Sequence, residues 1–207
     1  PKSLFIENRA NFKKFLKPKS LAVFNSNDIY PTSADGSLPF KQAADIFHLS
    51  GVDQEESVLV IFPDAYKPEH REMLFLKETN DHIAVWEGAK LDKDQAFDVS
   101  GIKSVFWLTD FERIFKEVMS HAEFVYLNDN EHLRAGIETE TREARFVKWC
   151  KEHYPLHTYT RAAPIMHQIR AIKSEAEVAV MQTAADITTK AYDRILKFLK
   201  PGVWEYE

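Results

Sequence analysis

The stretch from Ser174 to Gly202 narrows the choice of fold more than any other part of the chain. Ser174 followed by Glu177 is a capping-box pattern, in which the hydroxyl accepts a free backbone N–H and the carboxylate accepts one from the cap residue. Val178, Met181, Ala185, Thr188, Tyr192, Ile195 and Leu199 then recur at steps of three or four, and Pro201-Gly202 stops the run. The spacing predicts an amphipathic helix of about 25 residues, roughly 37 Å long. Such a stripe needs an apolar partner, and five residues follow Gly202. It either folds back on residues 1–172, pairs between chains, or rests on a body beyond Glu207. The last is the expectation, and it makes the chain a fragment.

Upstream, Phe5, Ile6, Phe12, Phe15 and Leu16 fit a helix over residues 5–17, ended before Pro18. Ser20–Phe24, Asp45–Leu49, Ser57–Phe62, Met73–Leu76 and His82–Trp86 read as strands, the last four as an antiparallel meander. Ser104–Leu108, Phe124–Leu127 and Leu156–Tyr159 read as further strands, alternating with helices at Asp110–Ser120 and Glu140–Lys151. That alternation favours parallel pairing. The expected fold class is α/β: a mixed sheet with helices on both faces, followed by one long helix. Residues 25–43 are rich in Asn, Asp, Ser, Gly and Pro, and a loop of that length in a compact domain is functional or disordered.

Composition excludes several classes. A hydrophobic fraction of 44% with 29% charged residues is that of a globular protein. The net charge of −5, from 32 acidic against 27 basic side chains, disfavours a nucleic-acid partner, which needs a basic surface. No apolar run approaches the roughly 18–20 residues that cross a bilayer, so no membrane partner is expected. The amino terminus lacks the long apolar core of a signal peptide. The single cysteine, Cys150, excludes an intrachain disulfide and fits a reducing compartment. A soluble, cytoplasmic protein is the expectation.

Catalytic patterns are missing. His153 and His157 stand four apart, but Pro155 between them breaks a helical zinc pair, and H-E-x-x-H does not occur. Asp92 and Asp94 suit a helix start, where carboxylates meet the positive end of the dipole. There is no G-x-S-x-G elbow and no phosphate-binding glycine loop. Cys150 sits on the apolar side of a charged helix and reads as a buried structural thiol. The residues themselves predict no catalytic group and no metal site in this chain.

Two stretches nevertheless carry a likeness. One is S-A-D-G-S-L-P-F-K-Q-A-A-D-I-F-H-L-S-G-V-D-Q-E-E-S-V-L-V-I, residues 33–61. The other is P-I-M-H-Q-I-R-A-I-K-S-E-A-E-V-A-V-M-Q-T-A-A-D-I-T-T-K-A, residues 164–191, with K-P-G-V-W-E-Y-E at 200–207. Together they resemble the creatinase, prolidase and aminopeptidase P family, whose catalytic pita-bread domain opens on R-x-x-K-S-x-x-E-V with a downstream P-G-x-x-E. The aspartate-rich loop and V-W-E-G at 85–88 point to aminopeptidase P. The resemblance implies an amino-terminal domain over 1–172 and the start of a truncated metallopeptidase domain over 173–207. It implies a parent that cleaves peptides with proline at the second position, using two divalent metals, manganese in most members, held by residues beyond Glu207. It also implies a homo-oligomer and a missing carboxy-terminal catalytic domain as partners. A creatinase-like protein-binding module without catalysis, or a prolidase domain, are the alternatives.

Two residues here match family positions that reach a neighbouring subunit's cleft: Asp35 of S-A-D and Trp86 of V-W-E-G. Asp35 could meet the cationic amino end of a peptide, or make an ordinary Asx turn with Gly36 and Ser37. Trp86 could wall an apolar or proline ring, or pack on the sheet. Arg170, Lys173 and Glu177 match the family run, and helix entry and domain packing account for them.

Overall fold

The computed structural model describes the chain except residues 135 and 137 and the side chains at 81, 83 and 86. It divides into two units, Pro1–Ile169 and Arg170–Glu207. In the first, strands β1 (Ser20–Asn25), β2 (Val58–Ile61), β3 (Glu72–Leu76), β4 (Ser104–Trp107), β5 (Phe124–Leu127) and β6 (Thr158–Arg161) form one sheet. Their order is β4-β3-β2-β1-β5-β6. β2 pairs antiparallel with β1 and β3, while β3–β4, β1–β5 and β5–β6 are parallel. Five strands therefore end at the same edge, and β2 alone runs against them.

The helices of this unit are α1 (Lys2–Lys13), α2 (Ala44–Ser50), α3 (Asp81–Glu87), α4 (Lys93–Ser100), α5 (Phe111–Met119), α6 (Arg142–His153) and all but the last two residues of α7 (Ala163–Ala171). The pleat sends alternate strand residues to opposite faces. Leu21, Val23, Val60, Phe75 and Val125 pack with α5 and α6, while Ala22, Phe24, Leu59, Ile61 and Leu74 pack with α1, α2, α4 and α7. Both faces are covered, which is why β1, β2 and β3 read as unbroken apolar runs. This matches the expected mixed sheet with helices on both sides.

Two expected strands are helices. Asp45–Leu49 lies in α2, which buries Ile46, Leu49 and Ser50 at helical spacing and ends on Gly51 at φ 70°. A short apolar run bounded by glycine suits either element, and here the i, i+3, i+4 face won. His82–Trp86 lies in α3, so the antiparallel meander ends at β3, and α3 and α4 carry the chain to a parallel β4. The last strand is Thr158–Arg161 rather than Leu156–Tyr159, and α1 runs from Lys2 to Lys13 rather than over 5–17. Asp92 does open a helix: its carboxylate accepts from Gln95 N at 2.8 Å in a capping box.

One buried charge pins α1. Arg9 is fully buried and donates from Nε to Glu72 at 2.9 Å and from Nη1 to the carbonyls of Leu49 and Ser100 at 2.8 and 3.0 Å. Lys13 reaches the other Glu72 oxygen at 2.6 Å. Burial pushes the Glu72 carboxyl up, but Arg9 and Lys13 outweigh it and hold it below its ordinary value.

The second unit holds α8 (Glu175–Phe198). Ser174 N donates to Glu177 Oε2 at 2.8 Å and Glu177 N to Ser174 Oγ at 3.3 Å, the reciprocal cap read from the sequence. None of its residues is buried.

Candidate functional site

The carboxyl edge of the five co-directional strands is where an open α/β sheet offers a site, at the point where neighbouring strands send their connections to opposite faces. Here that point lies between β1, which leads to α2, and β5, which leads to α6. Side chains cross it in both directions. Glu143, on the first turn of α6, accepts from the Asn25 backbone N–H at 3.0 Å and from Asn25 Nδ2 at 2.7 Å. Asn128, just past β5, donates from Nδ2 to Asp45 Oδ2 on α2 at 3.0 Å. Burial pushes the Glu143 carboxyl up to about 7, against the donors from Asn25 and Asn128 and with the Asp45 carboxylate.

These bonds fix the base of the loop that follows β1. Arg145, two residues beyond Glu143, donates from Nη2 to both oxygens of Asp28 at 2.8 and 3.0 Å. Asn27 Nδ2 bonds the Lys41 carbonyl at 2.9 Å, tying the two limbs. Gln42 Nε2 anchors the far limb on the carbonyls of Val52 and Gln54 at 3.1 and 2.9 Å. Between the limbs the chain makes a small hairpin: Leu38 N to Tyr30 O, Thr32 N to Gly36 O and Gly36 N to Ser33 O, each 2.9 Å, with a bridge between Pro31 and Ser37.

Asp35 stands exposed at the tip of this hairpin, next to Ala34 at φ 51°. The turn is built from backbone bonds of Thr32, Ser33 and Gly36, and no Asx turn by the Asp35 carboxylate is needed to hold it. Ile29, Tyr30 and Leu38 are exposed on the same hairpin. The hairpin thus exposes a carboxylate at its tip and three apolar side chains toward its base.

Trp86 lies on α3, after β3, so its segment leaves the same sheet edge as the Asp35 loop. Its side chain lies outside the described residues. The next residue, Glu87, accepts from Lys77 at 2.9 Å, and Lys77 also pairs with Glu56 at 3.1 Å, which ties α3 to the segment before β2. The hydrogen bond to Lys77 holds Glu87 below the ordinary carboxylate range.

Glu143, Asn25, Asn128 and Arg145 were not legible as site residues. Thr141 as cap with Glu143 in the first turn marks a helix start, but the partner of Glu143 is 118 residues away. Cys150 is buried as expected, its thiol pushed up to about 12 mainly by burial. His153 Nδ1 bonds the Trp149 carbonyl at 2.9 Å and His157 Nε2 the Met119 carbonyl at 2.8 Å. Among the described residues no group of three or more His, Cys, Asp or Glu could hold a metal ion. The described side chains here do not fit a metal centre.

Residues 5–126 match the family model described as aminopeptidase P, N-terminal domain. The Xaa-Pro aminopeptidase of Escherichia coli K12 is 24% identical over 203 residues, 98% of this chain and 46% of that protein. The structure of Pseudomonas aeruginosa aminopeptidase PepP superposes with a TM-score of 0.83 at 23% identity, over 100% of this chain and 46% of that one. A zinc-substituted E. coli aminopeptidase P in complex with product superposes at 0.77 with 23% identity, over 100% and 47%. The chain spans about half the length of these relatives.

Proposed function

The chain belongs to the aminopeptidase P amino-terminal domain family, and we propose that it is the assembling and gating domain of an Xaa-Pro aminopeptidase. In this reading residues 1–172 are the amino-terminal domain, and residues 173–207 open the catalytic domain. That further domain holds two divalent metal ions, manganese by family habit, and hydrolyses the bond before a second-position proline. When bound, such a pair supplies an activated water and polarises the scissile carbonyl. This chain's residues do other work.

The observation that carries the reading is the display of Asp35. The hairpin presents a solvated carboxylate at its tip, with Ile29, Tyr30 and Leu38 exposed toward its base. Buried against a second copy, these apolar side chains would seat the base of the hairpin while Asp35 at the tip takes the cationic amino end of a peptide in the neighbour's cleft. Trp86, carried from the same edge by α3, would wall that cleft. The reading therefore requires a homo-oligomer. The single buried thiol suits a cytoplasmic location.

The test uses the full-length parent loaded with manganese and assayed on Xaa-Pro tripeptides. Asp35→Asn is expected to raise KM about tenfold with a smaller change in kcat, because a charged hydrogen bond to the substrate amine is lost. Tyr30→Asp is expected to dissociate the oligomer and lower activity together. Metal-dependent turnover by the 207-residue chain alone, or a monomeric parent with full activity, overturns the proposal.

A further inference from the structure

A cleft of about 370 Å³ opens between the first turns of α5 and α6, inside the first unit and beside the crossing bonds of Glu143. That volume lies in the range of small-molecule sites, about 300–1,000 Å³. Its wall on α6 is Arg142, Phe146 and Trp149, spaced i, i+4, i+7 on one helix face. Phe111 and Glu112 of α5 line the other side. Phe111 meets Phe146 at 5.9 Å and Trp149 at 6.4 Å between ring centroids, so the floor is aromatic.

The charges in this cleft are unusual. Arg145 is occupied by Asp28. Arg142 is half-buried and makes no hydrogen bond or ion pair among the described residues. Burial pulls its guanidinium below the ordinary arginine value, and Asp28 and Glu56 oppose this only through space. Glu112 is exposed and likewise makes no hydrogen bond or ion pair among the described residues. A half-buried guanidinium costs desolvation that a carboxylate partner would offset. The two opposite charges line one aromatic cavity and do not pair with each other.

We propose that this cleft binds a free α-amino acid with an aromatic or branched apolar side chain. Arg142 takes the carboxylate, Glu112 takes the ammonium, and Phe111, Phe146 and Trp149 receive the side chain. A phosphate dianion fits poorly, because one guanidinium is free and Glu112 adds a negative charge. This inference stands apart from the peptidase reading and uses neither Asp35 nor Trp86.

The experiment is calorimetric titration of the 207-residue chain with L-phenylalanine, against 3-phenylpropanoate, phenethylamine, glycine and inorganic phosphate. Saturable one-to-one binding of phenylalanine is expected, with each comparator about tenfold weaker or more, since each lacks at least one of the three contacts. Arg142→Gln is expected to weaken phenylalanine about tenfold while far-UV circular dichroism stays unchanged and the thermal midpoint does not fall. Glu112→Gln is expected to abolish the preference for phenylalanine over phenylpropanoate, a readout that a merely structural role would not move. No saturation up to about 10 mM, equal binding of phosphate or phenylpropanoate by the unaltered chain, or an unchanged affinity in folded Arg142→Gln overturns the assignment.

Discussion

Glu143 accepts from both the main chain and the side chain of Asn25, at 3.0 and 2.7 Å, and so joins the start of α6 to the last residue of β1 across 118 residues of sequence. The bond sits where the sheet's connections part to opposite faces, and Asn128–Asp45 crosses the same point the other way. The Asp35 hairpin begins at this brace, so its position is set by a helix that follows it by more than a hundred residues.

Stability is expected to fall between about pH 4.5 and about pH 7 because of Glu143. Its folded value of about 7 exceeds the ordinary 4.5, so the native state prefers the protonated carboxyl. The penalty is absent below the unfolded value, grows as pH rises, and is complete above the folded one, on the order of 3 kcal/mol. Glu143→Gln should flatten that segment of the profile. Urea unfolding at about pH 5 and about pH 8, in both proteins, checks it.

Arg145→Ala is expected to loosen the loop without unfolding the domain. The Arg145–Asp28 pair is partly exposed, with side chains 48% and 40% accessible, so it contributes about 0.2–1 kcal/mol. Hydrogen exchange of residues 28–40 should speed up while the unfolding midpoint moves little. Unchanged exchange there would show that Glu143 and Gln42 hold the loop without it.

Glu72→Gln is expected to cost about 3 kcal/mol or more. Removing that carboxylate leaves the fully buried Arg9 with two carbonyls and no counter-charge. Denaturant unfolding measures the loss, and Lys13→Ala, which spares the buried pair, should cost far less.

Gly51 and Gly88 separate two kinds of glycine. Both lie at positive φ, 70° and 81°. A Cβ at Gly51 would sit 2.2 Å from Phe5 Cε2, whereas one at Gly88 meets nothing within 4 Å. Gly88→Ala should cost about 1 kcal/mol from backbone strain alone, and Gly51→Ala clearly more. Phe5→Ala in the Gly51→Ala background should recover part of the difference in thermal unfolding.

Cys150 is expected to resist aromatic disulfide reagents in the native state. It is fully buried and its thiol is held near 12, so the thiolate is scarce at about pH 8. Labelling should follow global unfolding, rising to one equivalent in denaturant.

Much of the fold was local and therefore legible. The apolar runs of β1 to β5, the stripe of α5 and the reciprocal cap at Ser174 and Glu177 each lie within a few residues of chain, where periodicity and capping chemistry act. Asp35 was readable as part of a turn-rich loop. The segments 45–49 and 82–86 were not, because five apolar or mixed residues fit strand and helix equally and packing decides between them. Tertiary structure also decided the contacts that matter most at the site. Glu143 raises no local signal beyond a helix start, and only the pairing of β1 with β5 brings it to Asn25. Arg142 and Glu112 are ordinary helix charges in sequence, and they face one aromatic cleft because α5 and α6 cover the same sheet face. Local pattern fixes which segments curl or extend, since those energies reach a turn or two along the chain. The placing of charges together across the sheet follows from burial of apolar surface, which acts between residues far apart in sequence.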